Sequence, residues 1–384
     1  MNTSALIGLW LGILQLPGVV LPFHFSIEDR KGKQVVIIQN AEERIVCDEI
    51  TSAGDSIFVR LPLYDSELRF KAGATTLDGV WINRGRKTPT SIPFHAEKGI
   101  KNRFQGSSVT PEIDPLSGKW ETWFDAGQSD SSLAIGLFRR GPENQVYGTF
   151  MTETGDHRFL EGQLLGDSLK LSVFDGSHAW LYMAKIDGER LRGVFFSGNN
   201  YQAPFHAKRN DAIALRDPSS ITRFEGGVGF QLPDCDSNLV SHTDTRYRKK
   251  VIIHQIMGTW CPNCMDESVF LDSVYTARRE EGLEVIGFAF ERSADFSKAM
   301  PGLKRTINRL GLHYAVLYAG QADKTRLKEV FPGMQEFISY PTTIITNWDG
   351  QVVYVHAGFS GPATGEAWRE YQRKFSAILD RLLR

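Results

Sequence analysis

Cysteine is scarce, with four in 384 residues, too few for a disulfide framework to hold the chain together. Cys47 and Cys235 stand alone, and Cys261 with Cys264 forms the single C-x-x-C. Structural zinc takes four Cys or His ligands, and neither a second C-x-x-C nor an H-x-x-x-H accompanies the pair, so a dithiol is the better reading. A charge surplus is missing too: 44 Lys+Arg face 45 Asp+Glu, a net charge of -1. Without a basic excess or cluster, nucleic acid is not an expected partner. Long hydrophobic runs are also absent. The most apolar stretch, residues 5–20, is broken by Gln15 and Pro17 and falls short of the ~18 residues that cross a bilayer. No Lys or Arg precedes it, as an export signal would require. It is expected to be a first β-strand, which implies that any natural export signal has been removed from this chain.

What is present is an evenly mixed chain, 23% charged and 41% hydrophobic, of a length that usually splits into two or three domains. Its first half repeats itself at a spacing of about 110 residues. Gly8-Leu9-Trp10 matches Gly118-Lys119-Trp120, and Gly54-Asp55-Ser56-Ile57 matches Gly166-Asp167-Ser168-Leu169. Leu77-Asp78-Gly79-Val80-Trp81 matches Leu191-Arg192-Gly193-Val194-Phe195, and Pro93-Phe94-His95-Ala96 matches Pro204-Phe205-His206-Ala207. Within each copy, short β-branched and aromatic runs alternate with Gly, Asp, Asn and Ser turns, and no 3.6-residue period is sustained. This predicts an all-β domain over 1–212, with repeats near 5–100 and 115–210, each of about eight strands in a barrel or sandwich. The G-x-W that opens each copy resembles that of lipocalin- and avidin-type barrels. His95 and His206 recur at equivalent places, which suggests a packing role. Trp120, Trp123, Tyr201 and Phe205 are candidates for a barrel mouth or, as aromatics usually are, for the core. Residues 213–228, with Asp217-Pro218-Ser219-Ser220 and Gly226-Gly227, read as a linker.

From residue 229 the pattern changes to strands alternating with helices. Strands are expected at 251–257, 283–290, 314–317 and 342–346, the last forming a hairpin with 351–356. Helices are expected at 262–279, 295–310, 324–330 and 366–383, the first with Met265, Val269, Phe270 and Val274 on one face. This order predicts an α/β sandwich with helices on both faces of the sheet. Cys261 then falls at a helix N-terminus, where free N–H groups and the helix dipole favour a thiolate. Pro262 suits the first helical turn because its missing N–H would have no partner there. Cys264 lies one turn deeper, placed to attack a mixed disulfide formed at Cys261.

Gly258-Thr259-Trp260-Cys261-Pro262-Asn263-Cys264, Glu291 at the end of the next strand, and Tyr340-Pro341-Thr342-Thr343 together resemble the TlpA/ResA family. These are thioredoxin-fold thiol–disulfide oxidoreductases that act outside the cytoplasm, and the resemblance covers about residues 225–384. It implies a thioredoxin-like domain over 229–384 and a cis Tyr340-Pro341 bond facing the cysteines. Glu291 would be the acid that handles protons during exchange. Trp260, Tyr340, Pro341 and Thr342 would meet the substrate. Gln255 stands where cytosolic thioredoxins keep a buried Asp, which agrees with a family whose acid comes from the next strand.

The sequence therefore predicts a multidomain protein, duplicated all-β followed by thioredoxin-like α/β. Its expected activity is disulfide reduction in exported proteins of the periplasm or cell envelope. Cys261 and Cys264 form the redox-active disulfide, and neither metal nor cofactor is called for. Disulfide-containing proteins are the expected substrates and a membrane thiol reductant the expected electron donor, with tethering through a removed N-terminal segment. Net thiol oxidation is the alternative within enzymes. A β-domain binding protein with a redox-sensing C-x-x-C is the alternative outside them.

Overall fold

The computed structural model describes residues 3–85, 88–106, 116–125 and 131–383. They form two units, Met1–Met151 with His157–Ala214 and Thr152–Asp156 with Leu215–Arg384.

The first unit is all β. Its first sheet contains β1 (Gly8–Leu16), β2 (Val19–Arg30), β3 (Lys33–Asn40), β4 (Glu43–Cys47), β5 (Glu49–Ala53), β6 (Ser56–Arg60), β7 (Ser66–Ala72), β8 (Thr76–Asn83) and β9 (Thr90–Lys98). They pair in the order β4-β3-β2-β1-β9-β8-β7-β6-β5. The terminal strands β4 and β5 are joined by Asp48 alone, so the sheet must curl back on itself into a barrel-like form. The second sheet contains β10 (Lys119–Phe124), β11 (Ser132–Arg140), β12 (Gln145–Thr152), β13 (Gly155–Asp156), β14 (Leu160–Leu165), β15 (Ser168–Phe174), β16 (Ala179–Asp187), β17 (Arg190–Ser197) and β18 (Tyr201–Arg209). Its order is β11-β10-β18-β17-β16-β15-β14-β12-β13, and an added β11–β12 pairing closes the ring. Each sheet has nine strands where about eight were expected, because pairs as close as β4 and β5 read as one run.

The duplication is visible in detail. Trp10 and Trp120 are both fully buried, and each indole N–H donates to the carbonyl four residues back, Leu6 at 2.9 Å and Leu116 at 3.0 Å. Lys98 lies over the Trp10 ring and Arg209 over that of Trp120. Gly79 and Gly193 are equivalent: a Cβ on either would strike the carbonyl oxygen of the neighbouring strand, Arg69 or Met183. Trp120 and Phe205 are core residues, whereas Trp123 is half-buried and Tyr201 exposed. Cys47 is core as well. His95 and His206 are not packed inside; both face outward, and His95 is held by Asp78 at 2.7 Å.

Aromatic clusters fill the two sheets, and each fully buried Phe or Leu contributes about 1.5–3 kcal/mol. Phe174 of the second repeat reaches the first core, 4.4 Å ring to ring from Phe23. Ions are buried beside it. Arg103 pairs with Glu161 at 3.0 Å and donates to the carbonyls of Ser172 and Gln39. His24 approaches the same carboxylate at 3.8 Å. Burial alone would raise the Glu161 pKa, but Arg103 and His24 more than offset it and hold the carboxyl well below its usual value.

The second unit adds β19 (Gln231–Pro233), β20 (Leu239–Ser241), β21 (Val251–Met257), α1 (Pro262–Arg278), β22 (Leu283–Glu291), α2 (Phe296–Leu310), β23 (Ala315–Gln321), α3 (Lys324–Val330), β24 (Thr342–Thr346), β25 (Val352–Ala357) and α4 (Glu366–Leu382). The main sheet runs β23-β22-β21-β24-β25, parallel across the first three strands and antiparallel in the β24–β25 hairpin. Asp295 and Asp323 cap α2 and α3 by accepting from Ser297 and Arg326 N–H groups, and α2 stops at Gly311 with φ 64°. Ile286, Phe288 and Phe290 of β22 join Leu327 and Val330 of α3 in one core. Phe270 of α1 packs edge-on against Trp368 and Phe375 of α4 and at a tilt against Tyr371. Part of the segment read as a linker belongs to this unit: Ile221 and Thr222 are buried, and Phe224 bridges to Met334.

Candidate functional site

The C-x-x-C sits where β21 ends and α1 begins, the place that the sequence assigns it. Cys261 is the N-cap of α1, and its Sγ accepts the Cys264 N–H at 3.2 Å. The two cysteines form a disulfide with Cα atoms 5.2 Å apart. Cys261 keeps 7% of its surface exposed, while Cys264 has none. An incoming thiol or disulfide therefore meets Cys261 first. Free N–H groups and the positive end of the helix favour charge there.

The second motif closes over the first. Tyr340-Pro341 is cis, and the Tyr340 carbonyl oxygen lies 3.7 Å from Cys261 Sγ. Thr342 is buried, its hydroxyl donating to the Ser339 carbonyl at 2.8 Å. Trp260 donates from its indole N–H to the Phe290 carbonyl at 3.0 Å and stands edge-on to Tyr340 at 5.2 Å. Arg292 covers the Trp260 ring at 4.9 Å. Trp260 and Tyr340 give the rim of the disulfide an apolar surface.

Glu291 is buried, and both its oxygens are engaged by one residue. Thr259 donates its N–H at 3.0 Å and its hydroxyl at 2.7 Å. Burial raises the Glu291 pKa, partly offset by those two bonds and by Arg292. The carboxylate thus ties the end of β22 to the turn that carries Trp260 and Cys261.

A second acid lies under the disulfide, one that the sequence reading missed. Glu267 is three residues beyond Cys264 on α1 and fully buried. It accepts from Gln255 Nε2 at 2.9 Å and from Thr343 Oγ1 at 2.7 Å. Gln255 Nε2 also reaches the Cys264 carbonyl at 3.3 Å, and Gln255 Oε1 accepts from Ser268 and Tyr314 hydroxyls. Burial pushes Glu267 up to about 7, against the lowering effect of its two hydrogen bonds. One carboxyl therefore links the helix of the dithiol, the strand before it and the strand after cis-Pro341. The available signal was spacing: Cys264, Glu267 and Leu271 lie on one helical face.

The remaining thiol in this unit, Cys235, is partly exposed and free. Burial and the carboxylates of Asp236 and Asp234 raise its pKa, the opposite of what a reactive thiol needs. Among the described residues, no group of three or more His, Cys, Asp or Glu is arranged to hold a metal ion.

A family model described as Redoxin matches residues 220–367. The thiol-disulfide oxidoreductase ResA of Halalkalibacterium halodurans is 25% identical over 147 residues, 37% of this chain and 72% of that protein. ResA of Bacillus cereus is 21% identical over 176 residues, 46% of this chain and 86% of that protein. A solved thiol:disulfide interchange protein of the thioredoxin family from Chlorobium tepidum TLS is 21% identical, covering 42% of this chain and 98% of that one, with a TM-score of 0.32.

Proposed function

From a C-terminal unit that is a TlpA/ResA-like thioredoxin-fold domain, in a chain that is a thiol–disulfide oxidoreductase, we propose a net reductase of protein disulfides. The observation that carries this reading is the unequal placement of two linked sulfurs. Cys261 is reachable at a helix N-terminus, and Cys264 is sealed beneath it beside a buried acid.

In the reduced enzyme, the Cys261 thiolate attacks one sulfur of a client disulfide. A Cys261–client bond forms, the client S–S bond breaks, and the departing client sulfur takes a proton. Cys264 then gives up its proton and attacks Cys261 Sγ. The mixed disulfide breaks, the client leaves as a dithiol, and the enzyme holds the Cys261–Cys264 disulfide, two electrons having passed to the client. An external thiol reductant restores the dithiol, and by resemblance to the family we assign that role to a membrane protein and the site of action to the periplasm or cell envelope. Trp260, Tyr340 and cis-Pro341 hold the client strand, while the buried Thr342 fixes the 340–342 segment from beneath through its bond to the Ser339 carbonyl.

The proton from Cys264 needs an acceptor that works near neutral pH inside the protein. Glu267, pushed up to about 7 and one helical turn away, fits that task. Glu291 is the second candidate, favoured by its burial and raised pKa; its hold on Thr259 also gives it a positioning role for Cys261. The test of the overall reading is trapping. Cys264→Ser should accumulate a client disulfide through Cys261, and Cys261→Ser should form none. Labelling of Cys264 before Cys261 by limiting alkylating reagent would reverse the roles and overturn the scheme.

A further inference from the structure

The duplicated unit offers an internal comparison. On the outer face of the first repeat, two cross-strand rows run Ile13–His95–Asp78 and Leu11–Glu97–Thr76. Their counterparts in the second repeat run Trp123–His206–Arg192 and Glu121–Lys208–Arg190. The charge has changed sign. In the first repeat, Asp78 and Glu97 lie 2.7 and 3.6 Å from the His95 ring nitrogens, and the group is satisfied internally. In the second, Arg192 stands where Asp78 stood and Lys208 where Glu97 stood. Glu121 is already occupied, by Lys208 at 3.3 Å, Asn210 at 2.7 Å and the Trp123 indole at 3.3 Å. Arg190 and Arg192 form no ion pair among the described residues, although Asp187 lies across the β16–β17 hairpin from Arg190.

These side chains border a recess of about 620 Å³ on the sheet surface, bounded by Glu121, Trp123, Arg190, Arg192, His206 and Lys208. Arg190 and Arg192 are two residues apart on one strand, so they project from the same face about 7 Å from each other. An extended peptide repeats its same-face side chains at the same interval. Guanidinium groups bind carboxylates through two parallel hydrogen bonds, which lysine cannot do. We infer that this face of the second repeat docks an extended acidic segment of a partner protein, with carboxylates on alternate residues. Those carboxylates meet Arg190 and Arg192, while the segment's backbone and aliphatic groups lie over His206 and the Trp123 indole. The inference concerns the first unit alone and does not depend on the thiol chemistry.

The test is fluorescence anisotropy of a labelled peptide of alternating Glu and Ala, with alternating Gln and Ala as control, titrated with the full chain in about 50 mM salt, where exposed charges are weakly screened. The acidic peptide should bind and the Gln peptide should not. Arg190→Glu with Arg192→Glu should weaken binding about tenfold or more, since two attractive pairs become repulsive. Arg190→Gln with Arg192→Gln makes the milder change and carries the test if the reversal fails to fold. Lys31→Glu with Lys33→Glu alters net charge equally on the first repeat and should shift affinity by less than about twofold. Equal weakening by the Lys31/Lys33 pair, or undiminished binding by the Arg190/Arg192 variants, would overturn the site. Displacement of the peptide by a sulfated glycan fragment of about tenfold higher affinity would reassign the face to a polyanionic sugar and overturn the peptide reading.

Discussion

Replacing Glu267 by Gln keeps the shape and removes the titration. The amide oxygen can still accept from Gln255, and the amide nitrogen can turn to the Thr343 hydroxyl. In the folded protein the carboxyl is raised from 4.5 to about 7. A carboxyl raised on folding costs nothing below about pH 4.5, where it is protonated in both states. As pH climbs toward 7 the unfolded chain ionises first, and the folded state loses stability that it does not regain. The full loss is about 3 kcal/mol. Glu267→Gln should therefore match the parent near pH 4 and exceed it by about 2–3 kcal/mol at pH 8. Urea unfolding of the oxidised protein at both pH values, followed by hydrogen exchange of β21 and α1 amides, measures this in the right unit. The same variant should slow resolution of the mixed disulfide near neutral pH, because Cys264 loses its proton acceptor. A stability difference that is equal at pH 4 and pH 8 would show that Glu267 does not titrate between them, and the proton role would fall with it.

Glu291→Gln leaves Thr259 with one good acceptor in place of two; it should slow exchange at neutral pH and shift the pH dependence of thiolate formation at Cys261, followed by absorbance near the thiolate band. Coincident curves in variant and parent would reduce Glu291 to a structural tie. Glu161→Gln removes the charge that faces buried Arg103 and should destabilise the first unit by about 3 kcal/mol; a loss below about 1 kcal/mol in urea unfolding would mean that Arg103 is adequately served by the Ser172 and Gln39 carbonyls alone. Trp260→Ala should speed alkylation of reduced Cys261 and raise KM for a protein disulfide more than for a small one. Equal changes for both substrates would contradict a client-facing role.

Much of the second unit was legible from local pattern. The buried strand at Val251–Met257 and the helix at Lys324–Val330 agree with expectation to the residue, since apolar runs and an Asp cap leave few alternatives. The cis bond at Pro341 followed from the family resemblance. The inner face of α1 did not emerge. Apolar periodicity placed Val269 inside, yet it is 51% exposed, while Glu267 and Ser268 are fully buried. A periodicity argument sends every Glu to solvent, so it cannot find an acid kept inside by Gln255 and Thr343.

The first unit shows the same limit at longer range. Repeats and turns were readable because they are local, but ring closure through β11–β12 depends on pairing register. The buried Arg103, Glu161 and His24 come from strands and loops far apart in sequence and left no local mark. His95 and His206 were misjudged for a related reason: equivalence suggested a shared packing role, whereas their cross-strand neighbours differ in charge.

The equilibrium reduction potential of the Cys261–Cys264 pair tests the central claim most directly. Glu267 and Glu291 place carboxyl groups near the dithiol, and their charge offsets the help that the N-terminus of α1 gives an anion at Cys261. A reduced form without special stabilisation gives a low potential, whereas a strongly stabilised thiolate makes an oxidant. Equilibration with defined dithiothreitol mixtures, followed by alkylation and mass measurement, should give a value below about -200 mV, in the range of thiol reductants. A value near about -120 mV would make the protein a net oxidant and contradict the assignment.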